Sequence, residues 1–121
     1  MTITTRQIGQ VNESLAQHYL EAKGFTLIEK NFSCRYGEID LVMTHHDYLV
    51  FVEVRYRKSL QFGSGAETVN RTKQARLISS AMYYLQRHKK YAQWNCRFDV
   101  LSISGQNQQP AIEWIQDAFQ A

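Results

Sequence analysis

Asp40, in GEID (37–40), and Glu53 and Arg55, in YLVFVEVRYRKS (48–59), are residue types able to act on a phosphate group. The stretch 48–59 alternates as a strand does, so Leu49, Phe51, Glu53, Arg55 and Arg57 fall on one face. On the strand before it, Glu38, Asp40 and Val42 share a face. His45, His46 and Asp47 fit a short turn between the two strands, which sets residue 40 about opposite one in the low fifties. Asp40 and Glu53 can then meet. Two close carboxylates partly buried in a sheet repel each other unless a cation compensates. Mg2+ or Mn2+, which take oxygen ligands, suit that task. An ion held there could take a phosphodiester oxygen and acidify a water, while Arg55 offsets the extra negative charge of the transition state. Asp40 and Glu53 are therefore the expected metal ligands and Arg55 the expected phosphate clamp.

Positioning these side chains requires neighbouring elements, and the sequence supplies them. Ile8, Val11, Leu15, Tyr19 and Leu20 recur at helical spacing, and Gly24 stands where a left-handed cap would, predicting an amphipathic helix over 6–23. FTLIEKNF, GEIDLVMT and YLVFVEVRYR, rich in β-branched and aromatic residues, predict a three-stranded antiparallel meander. A second helix is expected over 70–89, with Ala75, Leu77, Ile78, Ala81, Met82 and Leu85 on one side. CRFDVLSI reads as a strand, and AIEWI as a last short one. The order αβββαββ, with no repeats and no linker, implies one domain over 1–121: an α/β fold whose mixed sheet is flanked by helices. A chain that crosses the sheet through a long helix should lay its fourth strand parallel to a central one.

Composition narrows the function classes. At 121 residues, 44% hydrophobic and with one proline, the chain can pack a core. No apolar run nears the ~20 residues that span a bilayer, and the polar opening MTITTRQIGQ lacks a secretory pattern, so no membrane role and a cytoplasmic location are expected. Cys34 and Cys96 make neither a disulfide framework nor a CxxC zinc site, and read as reduced strand residues. Net charge is only +3, yet residues 54–98 hold ten of the fourteen Lys and Arg and one acid, Glu67. That half projects positive potential, for which nucleic acid is the natural polyanion. Arg57, Lys58, Arg71, Lys73 and Arg76 are its expected contacts.

GEID followed thirteen residues later by EVR resembles the D-x(n)-E-x-K signature of restriction-endonuclease-like nucleases. GEIDLV, LVFVEVRYRKS, FGSGAETV, Lys73 and RFDV, taken in order over nearly the whole chain, further resemble the YraN-like family of small bacterial proteins. That resemblance implies a restriction-endonuclease-like fold similar to archaeal Holliday-junction resolvases, a third metal ligand from the first helix at Glu13, branched or junction DNA as substrate, and a homodimer. Two positions depart from the pattern: Ile39 replaces the usual Pro, and Arg55 stands where such nucleases carry Lys. Guanidinium stays protonated, so Arg55 can clamp a phosphate or orient water but cannot serve as a general base.

Other residues receive plainer readings. Glu38 is expected to be a surface acid before its strand, Arg97 and Asp99 to pair structurally, and His45 and His46 to be exposed in a turn. Tyr83, Tyr84, Tyr91 and Trp94 are expected to complete the core rather than stack on bases. The glycines of FGSG lack a following GK[ST], so they suggest a flexible loop and not a phosphate cradle. Two functions remain open: a metal-dependent DNA endonuclease, or a catalytically silent platform of the same fold that binds nucleic acid or a protein partner.

Overall fold

The computed structural model describes residues 4–57, 69–105 and 111–121. Its elements are α1 (Thr5–Glu21), β1 (Thr26–Cys34), β2 (Gly37–His45), β3 (Tyr48–Arg57), α2 (Arg71–Arg87), one 3-10 turn (Lys89–Tyr91), β4 (Asn95–Ser104) and β5 (Ala111–Phe119). The five strands form one sheet in sequence order. β1, β2 and β3 run as an antiparallel meander, β4 lies parallel to β3, and β5 returns antiparallel to β4. The parallel pairing follows from the α2 crossover, because only a long connection can bring the chain back to the same end of the sheet. The order αβββαββ and the mixed, helix-flanked sheet match the expectation from sequence.

Local chemistry sets the helix ends. Thr4 and Gln7 exchange hydrogen bonds in a capping box at the start of α1. Gly24, at φ 97°, reverses the chain after α1 as expected. The Asn70 side chain accepts the Lys73 N–H at 2.8 Å and opens α2.

The sheet is covered on both faces. Ala16 and Leu20 of α1 pack with Leu41, Met43, Val50, Val52, Leu101 and Ile103. Leu77, Ala81 and Tyr84 of α2 pack with Val42, Leu49, Phe51, Phe98 and Val100 on the other side. Both helices turn inward only part of the stripe expected: Leu77, Ile78, Ala81 and Leu85 of α2 and Tyr19 and Leu20 of α1 face the core as expected. Ile8, Val11 and Leu15 are exposed, and α1 buries Asn12 and Ala16 beside Leu20. A small residue at Ala16 lets the helix axis approach the sheet, which a stripe led by Ile8 and Val11 would hold away. In α2, Met82 is 58% exposed and Ala75 is also outside, while Ser80 and Tyr84 are fully buried.

A second correction concerns His45. It is buried at the end of β2, stacked on Phe25 with centroids 4.1 Å apart, and its Nδ1 lies 2.9 Å from Arg97 Nη2. Arg97 also donates to Asp99 through Nε at 3.0 Å, so the expected pair forms. Asp99, wholly buried, further accepts from Trp114 Nε1 and the Asp117 N–H, each at 2.9 Å. These bonds extend β5 to Phe119, well beyond the expected AIEWI. Cys34 and Cys96 are free and lie in β1 and β4. Among the described residues no helix is long and apolar enough to cross a membrane.

Candidate active site

Gly37 starts the site. Its φ of 151° suits glycine, and a Cβ there would meet Ser80 Oγ of α2 at 3.4 Å, so the β1–β2 turn lies close against the helix. From this turn β2 carries Glu38 and Asp40 into a cleft of about 270 Å³ lined also by Glu53, Arg55, Lys73, Arg76 and Leu77.

Strand alternation is interrupted where Asp40 sits. Ile39 and Val42, three residues apart, both pack in the core under α2, whereas Leu41 packs under α1. In β1, Lys30 pairs with Leu41 and Phe32 with Ile39, which leaves Asn31, at φ 55°, opposite Asp40. The irregularity brings Asp40 within reach of both helices. Ligand-capable oxygens of Glu13 on α1, Glu38 and Asp40 all lie within 4.8 Å of one another. On β3, Glu53 follows Leu49 and Phe51 on the side facing α2, and the Leu41–Val52 register puts it beside Asp40.

Electrostatics records this crowding. Burial first, and then the Glu53 carboxylate, push the Asp40 pKa up to about 8, with Glu13 adding to the rise. The Val54 N–H, donating to Asp40 Oδ2 at 2.8 Å, partly offsets it. Burial also raises the Glu13 pKa, reinforced by Glu38 and Glu53 and opposed by the Asn31 side chain and Lys30. Glu53 is nearly inaccessible, and its Oε2 lies 3.1 Å from Lys73 Nζ and 3.5 Å from Arg55 Nη1. The cleft is therefore acidic toward Glu13, Glu38 and Asp40 and cationic toward Lys73 and Arg76, with Glu53 ion-paired to Lys73 and Arg55 where the two meet.

A family model described as "Uncharacterised protein family UPF0102" matches residues 12–103. The chain belongs to the UPF0102 family. It is 46% identical to a UPF0102 protein of Nitrosococcus oceani over 116 residues, covering 96% of this chain and 94% of that one. A UPF0102 protein of Stutzerimonas stutzeri is 44% identical, with 93% and 94% covered. A UPF0102 protein of Nitrosomonas europaea is 47% identical, with 92% of each covered.

In this UPF0102 chain the cleft gathers Asp40, Glu53, Arg55, Lys73 and Arg76, with Glu13 beside Asp40. Arg71 begins α2 and is exposed, Arg57 ends β3 half-exposed, and neither lines the cleft. Lys58 and the FGSG loop lie outside the described residues. Glu38, read from sequence as a surface acid, is exposed but stands in the carboxylate cluster. Its signal was its place two residues before Asp40 on the same strand. Lys73 stands in the sequence as a nucleic-acid contact and as part of the family resemblance, but its ion pair with Glu53 has no sequence signal, because the two residues lie twenty apart on separate elements.

Proposed function

We propose that this UPF0102 protein is a metal-dependent phosphodiesterase of restriction-endonuclease-like type acting on nucleic acid, in the first instance DNA. One observation carries the reading: Glu13, Glu38 and Asp40 converge within 4.8 Å beside a cleft whose other wall presents Arg55, Lys73 and Arg76. Three converging carboxylates, one held near pKa 8, form an all-oxygen donor set that fits Mg2+ or Mn2+. Glu13, Glu38 and Asp40 would hold the ion, which when bound supplies Lewis acidity and a water of lowered pKa. Glu53, beside Asp40, is the fourth carboxylate available to the site. Arg55 and Lys73 neutralise Glu53 and stand ready to pair with the phosphate, while Arg76 sits on the cleft lining where an incoming strand meets it.

The test is calorimetric titration with Mg2+ and Mn2+ alongside cleavage of labelled linear, forked and four-way junction DNA. Saturable binding and metal-dependent cleavage in the wild type, both lost in Asp40→Ala and Glu13→Ala, support the proposal. Arg55→Ala should cost about 10²-fold in cleavage, as removal of a transition-state donor does.

Arg55 in the position of a nuclease lysine favours a second reading, the silent platform. Nucleic-acid binding without cleavage under either metal would establish it. A cytoplasmic homodimer belongs to the first reading, and a protomer-sized mass in sedimentation would remove the dimer from it.

A further inference from the structure

We infer that the outer face of α2 and the tip of the β1–β2 hairpin form a shelf for an unpaired nucleic-acid strand, feeding the carboxylate cleft. Lys73, Arg76, Tyr83 and Arg87 lie in a stripe along one side of α2, with Ser80 between them buried beneath the hairpin at Gly37. From Lys73 to Arg87 this stripe runs about 21 Å at 1.5 Å per residue, enough for a few nucleotides. At its near end Lys73 and Arg76 line the cleft.

At the far end the stripe becomes aromatic. Cys34 pairs with Gly37, so Arg35 and Tyr36 form a two-residue turn that projects both side chains to the surface. Tyr36 lies edge-on to Tyr83, with centroids 6.1 Å apart. Each ring is carried by an arginine: Arg35 lies 4.8 Å over Tyr36 and donates to its hydroxyl at 2.6 Å, and Arg87 lies 5.6 Å over Tyr83 and donates at 3.2 Å. Beside the two rings opens a hollow of about 190 Å³ lined by Tyr36, Ser79, Met82, Tyr83 and Gln86. Tyr36 and Gly37 are consecutive, and Ser79 is one turn from Arg76, so hollow and cleft adjoin.

The chemistry selects the occupant. Tyr84 of the same helix is wholly buried, as a tyrosine completing a core should be, but Tyr36 is 38% exposed and Met82 is 58% exposed. An exposed ring, Tyr36, and a half-buried one, Tyr83, interleaved with guanidinium groups offer stacking and phosphate pairing together, the combination that holds unpaired strands without sequence preference. A duplex, whose bases are already stacked, can use only the cations. The inference rests on the nuclease reading for its direction, by placing an unpaired segment next to the scissile phosphate, but the binding surface can be tested separately.

The test is fluorescence anisotropy in EDTA with an oligothymidine of about a dozen nucleotides, its uridine counterpart and a blunt duplex of equal length. The variants are Tyr36→Ala, Tyr83→Ala, Tyr36→Phe and Asp40→Ala. Each alanine variant should weaken single-strand binding about 5- to 100-fold and leave the duplex within about twofold, the range expected for loss of one stacking platform. Tyr36→Phe should retain most of the affinity, which separates stacking from the Arg35 hydrogen bond. Unchanged melting of Tyr36→Ala shows that the loss is not unfolding. Equal losses on strand and duplex, or none, would overturn the shelf; the thymidine and uridine arms show which backbone it takes. Asp40→Ala should bind the oligothymidine at least as well as wild type. If the shelf binds and no metal supports cleavage, the nuclease reading fails alone; if cleavage stands and tyrosine loss leaves strand binding intact, the shelf fails alone.

Discussion

Asp40 is held between opposite demands. Burial and Glu53 raise its pKa to about 8, while the Val54 N–H favours its charged form. A folded-state pKa above the unfolded 3.8 stabilises the protein at low pH, and this stabilisation fades as pH climbs from about 4 to about 8. Asp40→Asn keeps an acceptor for Val54 and removes the titration. In chelator at pH 8 it should therefore raise unfolding stability by ~1–3 kcal/mol in urea denaturation, while abolishing metal binding. If Asp40 holds the proposed ion, the same proton governs affinity in the wild type. Metal binding must displace it, so the Mg2+ association constant should rise up to about tenfold per pH unit from pH 6 to 8. Calorimetry in two buffers of different ionisation enthalpy reads both the affinity and the proton released; a flat profile would contradict Asp40 as a ligand.

At the scale of elements, β5 and the β2–β3 hairpin are tied to β4 by the buried network of Arg97, Asp99, His45 and Trp114. Asp99→Ala would leave Arg97 buried without its carboxylate and should cost about 3–5 kcal/mol in unfolding free energy. His45 must stay neutral to accept from Arg97, and burial, with Arg97 next, lowers its pKa. A depressed folded-state value means the unfolded chain takes the proton first, so this contribution is present above pH 6.5 and is lost as pH falls below it. Melting temperature measured from pH 7 to pH 5 should drop more steeply for the wild type than for His45→Gln, whose amide offers an acceptor that does not titrate.

For the whole molecule the decisive feature is a charge boundary running through the cleft, with Glu13, Glu38 and Asp40 on one side, Lys73 and Arg76 on the other, and the Glu53–Arg55 pair at the junction. Without metal the acidic wall repels the phosphates that the basic wall attracts. Above pH 8, where Asp40 is charged, Asp40→Ala should therefore bind DNA more tightly than the wild type in EDTA, measured by anisotropy. The logarithm of the association constant should fall with that of salt concentration at about 0.7–0.9 per phosphate contact, and Arg76→Ala should reduce the slope by about one contact. A salt-independent interaction would exclude nucleic acid as the ligand and point to a protein partner.

Much of this protein is written in short-range patterns. Period-two runs placed β1 to β4, the turn before Tyr48 put Asp40 near Glu53, and the length of the α2 crossover determined the parallel β3–β4 pair. Such features depend on backbone geometry and neighbouring residues, so sequence alone determines them. Tertiary structure decided what local pattern leaves degenerate. Both helices carry more than one apolar stripe, and close packing on the sheet chose Ala16 over Val11 and Tyr84 over Met82. His45 was buried by Phe25 and Arg97, partners twenty and fifty-two residues away in the chain. Glu38 joined the carboxylate cluster because the interruption opposite Asn31 brought β2 toward Glu13 of α1. Lys73 met Glu53 because α2 packs across β2, the strand beside β3. Distances between side chains on separate elements depend on how those elements pack, and a one-dimensional pattern does not contain that information.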